Sequence, residues 1–206
     1  MNEEKIRFLS EDLYIEGLLC IQEGERGAVV THPHPLYGGS MYNDVVEALV
    51  RAYHSKGFST LRFNFRGTGN SEGQYDQGLG EKKDVKSALL YMHGIGKKKL
   101  DLSGYSFGAW VISKFNETEP MISRMIMVSP PVDLPDFSFL SCNPKLKGVI
   151  TGGKDDFAPA DKIRHLVQGW NPEARFEVIE SADHFYSGEI KTLNSVLSLL
   201  LDKNTV

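Results

Sequence analysis

Two serines in this sequence stand in the pattern Gly-x-Ser-x-Gly: Ser71 within residues 69–73 (GNSEG) and Ser106 within residues 104–108 (GYSFG). The pattern marks a sharp strand-to-helix turn that holds a serine hydroxyl out for nucleophilic attack. Glycines flank it because side chains there would collide with the neighbouring strand and helix. Context separates the two copies. Residues 69–73 lie in a polar, glycine-rich stretch followed by QYDQGLGE, which is not expected to start a helix, whereas residues 104–108 follow the expected strand LDLS and run directly into AWVISKF. Ser106 is therefore the expected nucleophile and Ser71 a loop residue. The plainest alternative role for Ser106 is that of an ordinary helix cap.

A serine hydroxyl attacks only when a neighbouring base takes its proton, and that base needs a third group to fix its tautomer. On a strand–elbow–helix scaffold these partners follow the serine in the order acid, then histidine. Of six histidines, only His165 and His184 lie after a plausible acid. His165 is embedded in a helical stretch, residues 161–170, and reads as a surface position. His184, in SADHFY, falls just past a strand and before the last helix, where a base must stand to reach Ser106. Two adjacent aspartates, Asp155 and Asp156 in GGKDDFAP, end the preceding strand. They point in different directions, so only one can face His184, and spacing does not choose between them. Asp133 is a weaker third candidate. The aspartate not used would be a solvated loop charge or the cap of the helix beginning near Pro159.

Acyl transfer also requires two N–H donors for the oxyanion, one from the residue after the nucleophile, here Phe107, and one from the loop after the third strand. That loop is residues 32–39, HPHPLYGG. Pro33 and Pro35 have no N–H to give, which leaves His34 or Leu36, with Gly38 and Gly39 letting the loop fold close to the site. The side chains of His32 and His34 are expected to brace the loop rather than to bind a metal, since no carboxylate or cysteine stands at a suitable spacing.

These groups need a frame. Apolar–polar alternation around Ile6, Phe8, Leu13, Ile15, Gly17 and Leu19 predicts a hairpin. The runs 27–31, 59–65, 100–103, 124–128, 146–151 and 175–179 predict strands. Helical spacing predicts helices over 43–55 and 84–92 and near 107–116, 160–169 and 187–202. Strict alternation of strand and helix implies a mostly parallel α/β sheet with helices on both faces, its chemistry collected beyond the carboxyl ends of the strands. No repeat or linker interrupts residues 1–206, which read as one domain.

Composition narrows the partners. A net charge of −4, from 23 Lys and Arg against 27 Asp and Glu, opposes nucleic-acid binding. Cys20 and Cys142 make neither a disulfide framework nor a zinc site and fit a reducing compartment. The acidic N-terminus lacks an apolar signal core, and the longest greasy stretch, residues 196–201, is too short to span a bilayer. A cytoplasmic location without membrane attachment is expected. A nucleotide site fits poorly: residues 67–73 depart from G-x-G-x-x-G, and the segment at Gly96 and Lys97 lacks the other P-loop residues.

With these residues assembled, the chain resembles the α/β-hydrolase superfamily over essentially its whole length. More narrowly, it is similar to a small lidless bacterial group carrying HPHPLYGG, RFNFRGxGxSxG, GYSFG and ADHF, here residues 32–39, 62–73, 104–108 and 182–185. The resemblance implies an α/β-hydrolase fold with about seven or eight strands, and serine esterase-type hydrolysis. It favours Asp155 over Asp156, because the family's pattern places the acid three residues after a glycine and four before a proline, here Gly152 and Pro159. It further implies that residues 62–73 are structural, with Arg66 bracing the loops near the site. Residues 129–143 are too few to fold into a cap domain, so the site should be open, with Tyr37, Phe137, Phe139 and Phe185 as candidate walls for an apolar acyl group.

The expected activity is hydrolysis of small or short-chain carboxylic esters by Ser106, His184 and Asp155 through an acyl-enzyme, with no cofactor and no metal. The same triad would serve a thioesterase or a peptidase. A hydrolase-like scaffold that only binds a partner is the reading outside enzymes. The expected partner is a small-molecule ester, and the oligomeric state, a homodimer included, is left open.

Overall fold

The apolar runs become the strands of one eight-stranded sheet: β1 (Glu4–Ser10), β2 (Leu13–Cys20), β3 (Arg26–Thr31), β4 (Ser59–Phe63), β5 (Lys99–Tyr105), β6 (Ile122–Val128), β7 (Leu146–Gly152) and β8 (Arg175–Ile179). They lie in the order β1-β2-β4-β3-β5-β6-β7-β8. This computed structural model describes residues 1–202; residues 203–206 of the expected domain lie outside the described residues. β1 and β2 form the expected antiparallel hairpin, β2 pairs antiparallel with β4, and every later pairing is parallel. Each parallel crossover carries its chain back across a face of the sheet, which puts the loops after β3, β5, β7 and β8 at one edge.

Helices α1 (Asp44–Ser55), α2 (Leu79–Gly94), α3 (Phe107–Ser113), α4 (Ala160–Trp170) and α5 (Ile190–Leu200) cover both faces. Strand residues divide between the faces with period two. In β3, Val29 joins the layer containing Leu89 of α2, Ile112 of α3 and Trp170 of α4, while Ala28 and Val30 join the layer containing Leu49 of α1 and Leu197 of α5. Both faces of the central strands are thus dry, as their unbroken apolar runs require.

One helix start corrects the sequence reading. α2 begins at Leu79, inside the QYDQGLGE segment that was not expected to start a helix. The Glu81 carboxylate reaches back to accept the N–H groups of Asp76, at 2.8 Å, and Gly78, at 2.7 Å, satisfying donors that a helix start leaves bare. Gly80 in that first turn is there for space, because a Cβ would run into the Arg66 guanidinium. Residues 129–145, between β6 and β7, contain no helix or strand, so no cap domain is inserted over the sheet edge. Among the described residues, no helix is long and apolar enough to cross a membrane.

Candidate active site

Ser106 sits between the last residue of β5 and the first of α3 with φ 54° and ψ −119°. A non-glycine residue held there costs about 1–3 kcal/mol, which the surrounding structure must offset. Its N–H is pinned to Val128 O at 2.9 Å. The flanking glycines let three segments pass within van der Waals distance. A Cβ on Gly104 would lie 2.6 Å from the Gly108 carbonyl carbon, and one on Gly108 would lie 2.6 Å from His32 O. The turn therefore presses β5 and α3 against the end of β3, beside the loop that follows it.

Three of the predicted side chains meet in one hydrogen-bonded chain. His184 Nδ1 lies 2.8 Å from both oxygens of Asp155, and Nε2 lies 2.9 Å from Ser106 Oγ. An ionised carboxylate can only accept, so Nδ1 carries the proton and Nε2 presents its lone pair to the hydroxyl. Asp155 is buried, and its Oδ1 also accepts the N–H groups of Phe157 at 3.0 Å and Ala158 at 2.9 Å. The other candidates stand apart. Asp156 is exposed, Asp133 is exposed and paired with Lys162, and His165 is exposed on α4. The His184 loop is fixed from both sides. Tyr105 Oη donates to His184 O at 2.7 Å, and Asp183 Oδ1 accepts the N–H groups of Phe185 and Ser187, each at 3.0 Å. The Ser187 bond, foremost, holds the Asp183 carboxyl below its usual range, and burial pushes the Tyr105 phenol up, keeping it a donor.

The loop after β3 narrows the choice of a second oxyanion donor. Leu36 N–H is spent on His34 Nδ1 at 3.2 Å, opening a short 3₁₀ turn over Pro35–Tyr37. Tyr37 and Gly39 N–H both return to His34 O, at 3.1 and 3.0 Å. Among the described residues the N–H groups of His34 and Phe107 form no such bond. The His34 ring packs at a tilt among Tyr37, Tyr75 and Phe107, with centroids 4.7, 5.0 and 4.8 Å away. Because Nδ1 accepts, the neutral ring carries its proton on Nε2, 3.2 Å from Tyr75 Oη. Burial lowers its pKa.

His32 braces the same loop from below. Its Nε2 accepts Phe65 N–H at 3.0 Å, so Nδ1–H donates to Pro33 O at 2.6 Å. The ring is buried, and desolvation lowers its pKa from 6.5 to about 4. Between those two values the unfolded chain binds more protons than the folded one. Stability is therefore complete above about pH 6.5, falls as the pH drops toward 4, and loses nothing further from this group below that. The drop is expected to reach about 2–3 kcal/mol by pH 4.5. Denaturant unfolding at pH 7.5 and 4.5 reads it, and His32→Gln, which does not titrate, should remove most of the difference. An equally large difference in the variant would dismiss His32 as its source.

The second Gly-x-Ser-x-Gly copy is a brace. Ser71 Oγ accepts Glu16 N–H at 3.1 Å and donates to Asn64 O at 2.7 Å, tying its loop to β2 and to the end of β4. Nearby, Arg66 pairs with Asp84 of α2 at 2.8 Å, and Arg62 pairs with Glu3 at 2.6 Å and Glu47 at 3.2 Å.

Of the expected aromatic walls, Tyr37, Phe139 and Phe185 are exposed, but Phe137 is not a wall. It is 5 % exposed and stacks on Trp170 at 5.4 Å, because the β6–β7 segment turns it inward and leaves Phe139 stacked outside it at 6.4 Å. Two neighbours were missed. Phe157 approaches the His184 ring at 5.0 Å, and its place two residues after Asp155 could have flagged it. Tyr75 reaches His34 only through the return of the 69–78 loop, which leaves no local signal. A hollow of about 330 Å³ along α2 is lined by Glu11, Lys82, Lys83 and Phe115 and includes none of the residues around Ser106. Among the described residues, no three His, Cys, Asp or Glu side chains are grouped so as to hold a metal ion.

A mostly parallel sheet crossed by helices on both faces, a strained serine elbow at its edge and the lack of a cap define a lidless α/β hydrolase architecture. The chain belongs to the α/β-hydrolase family. It is similar to an α/β serine hydrolase homologue from Coxiella burnetii, 30 % identical with 98 % of this chain and 99 % of that one covered and a TM-score of 0.91. It is similar also to XC6422 from Xanthomonas campestris, an α/β serine hydrolase without lid, 25 % identical over 98 % of this chain and 94 % of that one, with a TM-score of 0.88. The uncharacterized protein RP471 of Rickettsia prowazekii (strain Madrid E) is 36 % identical over 169 residues, covering 77 % of this chain and 71 % of its own. No family model matches the chain.

Proposed function

We propose that this chain is a serine hydrolase that cleaves small or short-chain carboxylic esters through an acyl-enzyme. One observation carries the reading: the unprotonated Nε2 of His184 lies 2.9 Å from Ser106 Oγ while Asp155 holds the opposite nitrogen. As Oγ bonds to the ester carbonyl carbon, its proton passes to Nε2, and the buried Asp155 carboxylate stabilises the imidazolium without itself taking the proton. The carbonyl oxygen, now an anion, accepts the N–H groups of Phe107 and His34. The imidazolium then gives its proton to the alcohol oxygen as that C–O bond breaks. Water repeats the sequence on the acyl-enzyme, releasing the acid and restoring Ser106.

The likeness to the α/β serine hydrolase homologue from Coxiella and to the lidless α/β serine hydrolase from Xanthomonas supports the same reaction class. The uncapped edge favours small esters over peptides, since among the described residues no inserted domain encloses an extended chain there. Labelling with a fluorophosphonate, followed by mass spectrometry of the tagged peptide, tests the reading. The label is expected on the peptide containing Ser106, with turnover of short-chain p-nitrophenyl esters in the absence of added metal or nucleotide. A tag on the Ser71 peptide, or none, would overturn it.

A further inference from the structure

We propose that Phe157 and Phe185 form the subsite for the alcohol part of the ester, and that this subsite selects aryl and other bulky apolar alcohols. The inference rests on the ester-hydrolase reading above and deepens it. That mechanism gives the site a direction. The departing alcohol oxygen must lie within hydrogen-bond reach of His184 Nε2, because the proton it takes comes from there, whereas the carbonyl oxygen points to the N–H groups of Phe107 and His34. The carbon skeleton of the alcohol therefore packs on whatever flanks the imidazole.

Three rings do. Tyr105, at 5.6 Å between centroids, is buried and closes the inner side. Phe157, at 5.0 Å and 62°, and Phe185, at 5.6 Å and 88°, stand edge-on to the imidazole and remain 40 % and 65 % exposed. Both are set by the aspartates of the site. Phe157 N–H is held by Asp155 and Phe185 N–H by Asp183, each at 3.0 Å, so neither ring hangs on a free loop. Two phenyl rings kept in water beside the proton donor gain burial only when an apolar group lies on them. The oxyanion side differs, since apart from the buried Phe107 its rings, Tyr37, Tyr75 and His34, carry polar atoms and suit a small acyl group. Selectivity should thus reside in the alcohol and not in the acid.

Two ester series separate these sides. Acetates of ethanol, cyclohexylmethanol and benzyl alcohol vary the leaving group at similar basicity, and methyl esters of acetic and phenylacetic acids vary the acyl group. The native protein is expected to prefer benzyl over ethyl acetate in kcat/KM by about ten-fold or more. In Phe157→Ala/Phe185→Ala that ratio should fall about ten-fold, while the phenylacetate-to-acetate ratio changes less than about two-fold. The Leu/Leu pair, which keeps apolar bulk and serves if the alanine pair does not fold, should retain part of the preference. An unchanged alcohol ratio in a variant still labelled by fluorophosphonate overturns the subsite alone, as does a collapse confined to the acyl series. Failure of the native protein to label at Ser106 would remove the hydrolase reading and the subsite with it.

Discussion

Replacing Ser106 by alanine is expected to lower kcat on a short-chain ester by about 10⁶-fold, because among the described residues the hydroxyl of Ser106 is the nucleophile hydrogen-bonded to His184 Nε2. The fold should survive. Alanine places the same Cβ at the same φ of 54°, and the change removes one hydroxyl whose partner can turn to water. Ser71→Ala should do the reverse. Its turnover stays within a few-fold of the native value, while stability falls by about 1–3 kcal/mol, since Glu16 N–H and Asn64 O each lose a partner. Steady-state kinetics beside denaturant unfolding read both variants. Substantial turnover by Ser106→Ala, from protein free of contaminating esterase, would sink the assignment.

The second large effect is Asp155→Asn, expected to cost about 10⁴-fold in kcat. The reason lies in the backbone. Oδ1 accepts from Phe157 and Ala158 N–H, so an asparagine keeps its oxygen there and turns its NH₂ toward His184 Nδ1. Nδ1 must then accept, the proton moves to Nε2, and the imidazole faces Ser106 with a donor where a base is required. Asp156→Asn, at an exposed position, should change kcat/KM less than about two-fold. Comparable losses in both variants would refute the assignment of the acid.

The sequence made the frame legible where one signal dominated. GAVVT reads as a strand dry on both faces, and the Val45, Val46, Leu49, Val50 and Tyr53 stripe as a helix with one buried side, and the structure buries them so. The elbow at Ser106 was readable because strand, glycines and helix coincide within ten residues. What escaped was set by contacts between distant segments. The start of α2 was hidden by two glycines: Gly80 leaves room for the Arg66 guanidinium, and Gly78 takes a φ of 83° with no space for a Cβ beside the Trp110 ring, contacts that local propensity does not show. Phe137 and Phe139 are two apart in a loop without regular period, and only Trp170 decides which one turns inward. The residues alone did not separate Asp155 from Asp156, and only the family resemblance favoured Asp155; in the structure the difference between them includes a pair of backbone donors two and three residues ahead of Asp155. Leu36 was a reasonable oxyanion donor until its own neighbour's imidazole took the N–H.

The contact between Ser106 and His184 spans 78 residues, and that between His184 and Asp155 spans 29, with β8 at the outer edge of the sheet bringing the histidine in. Nothing local assembles the three groups. A growing or refolding chain can complete its elbow early, yet the hydroxyl meets its imidazole only after the last strand has docked against β7. Reactivity of Ser106 would consequently appear late in maturation, making it a chemical clock for the slow, long-range step of folding.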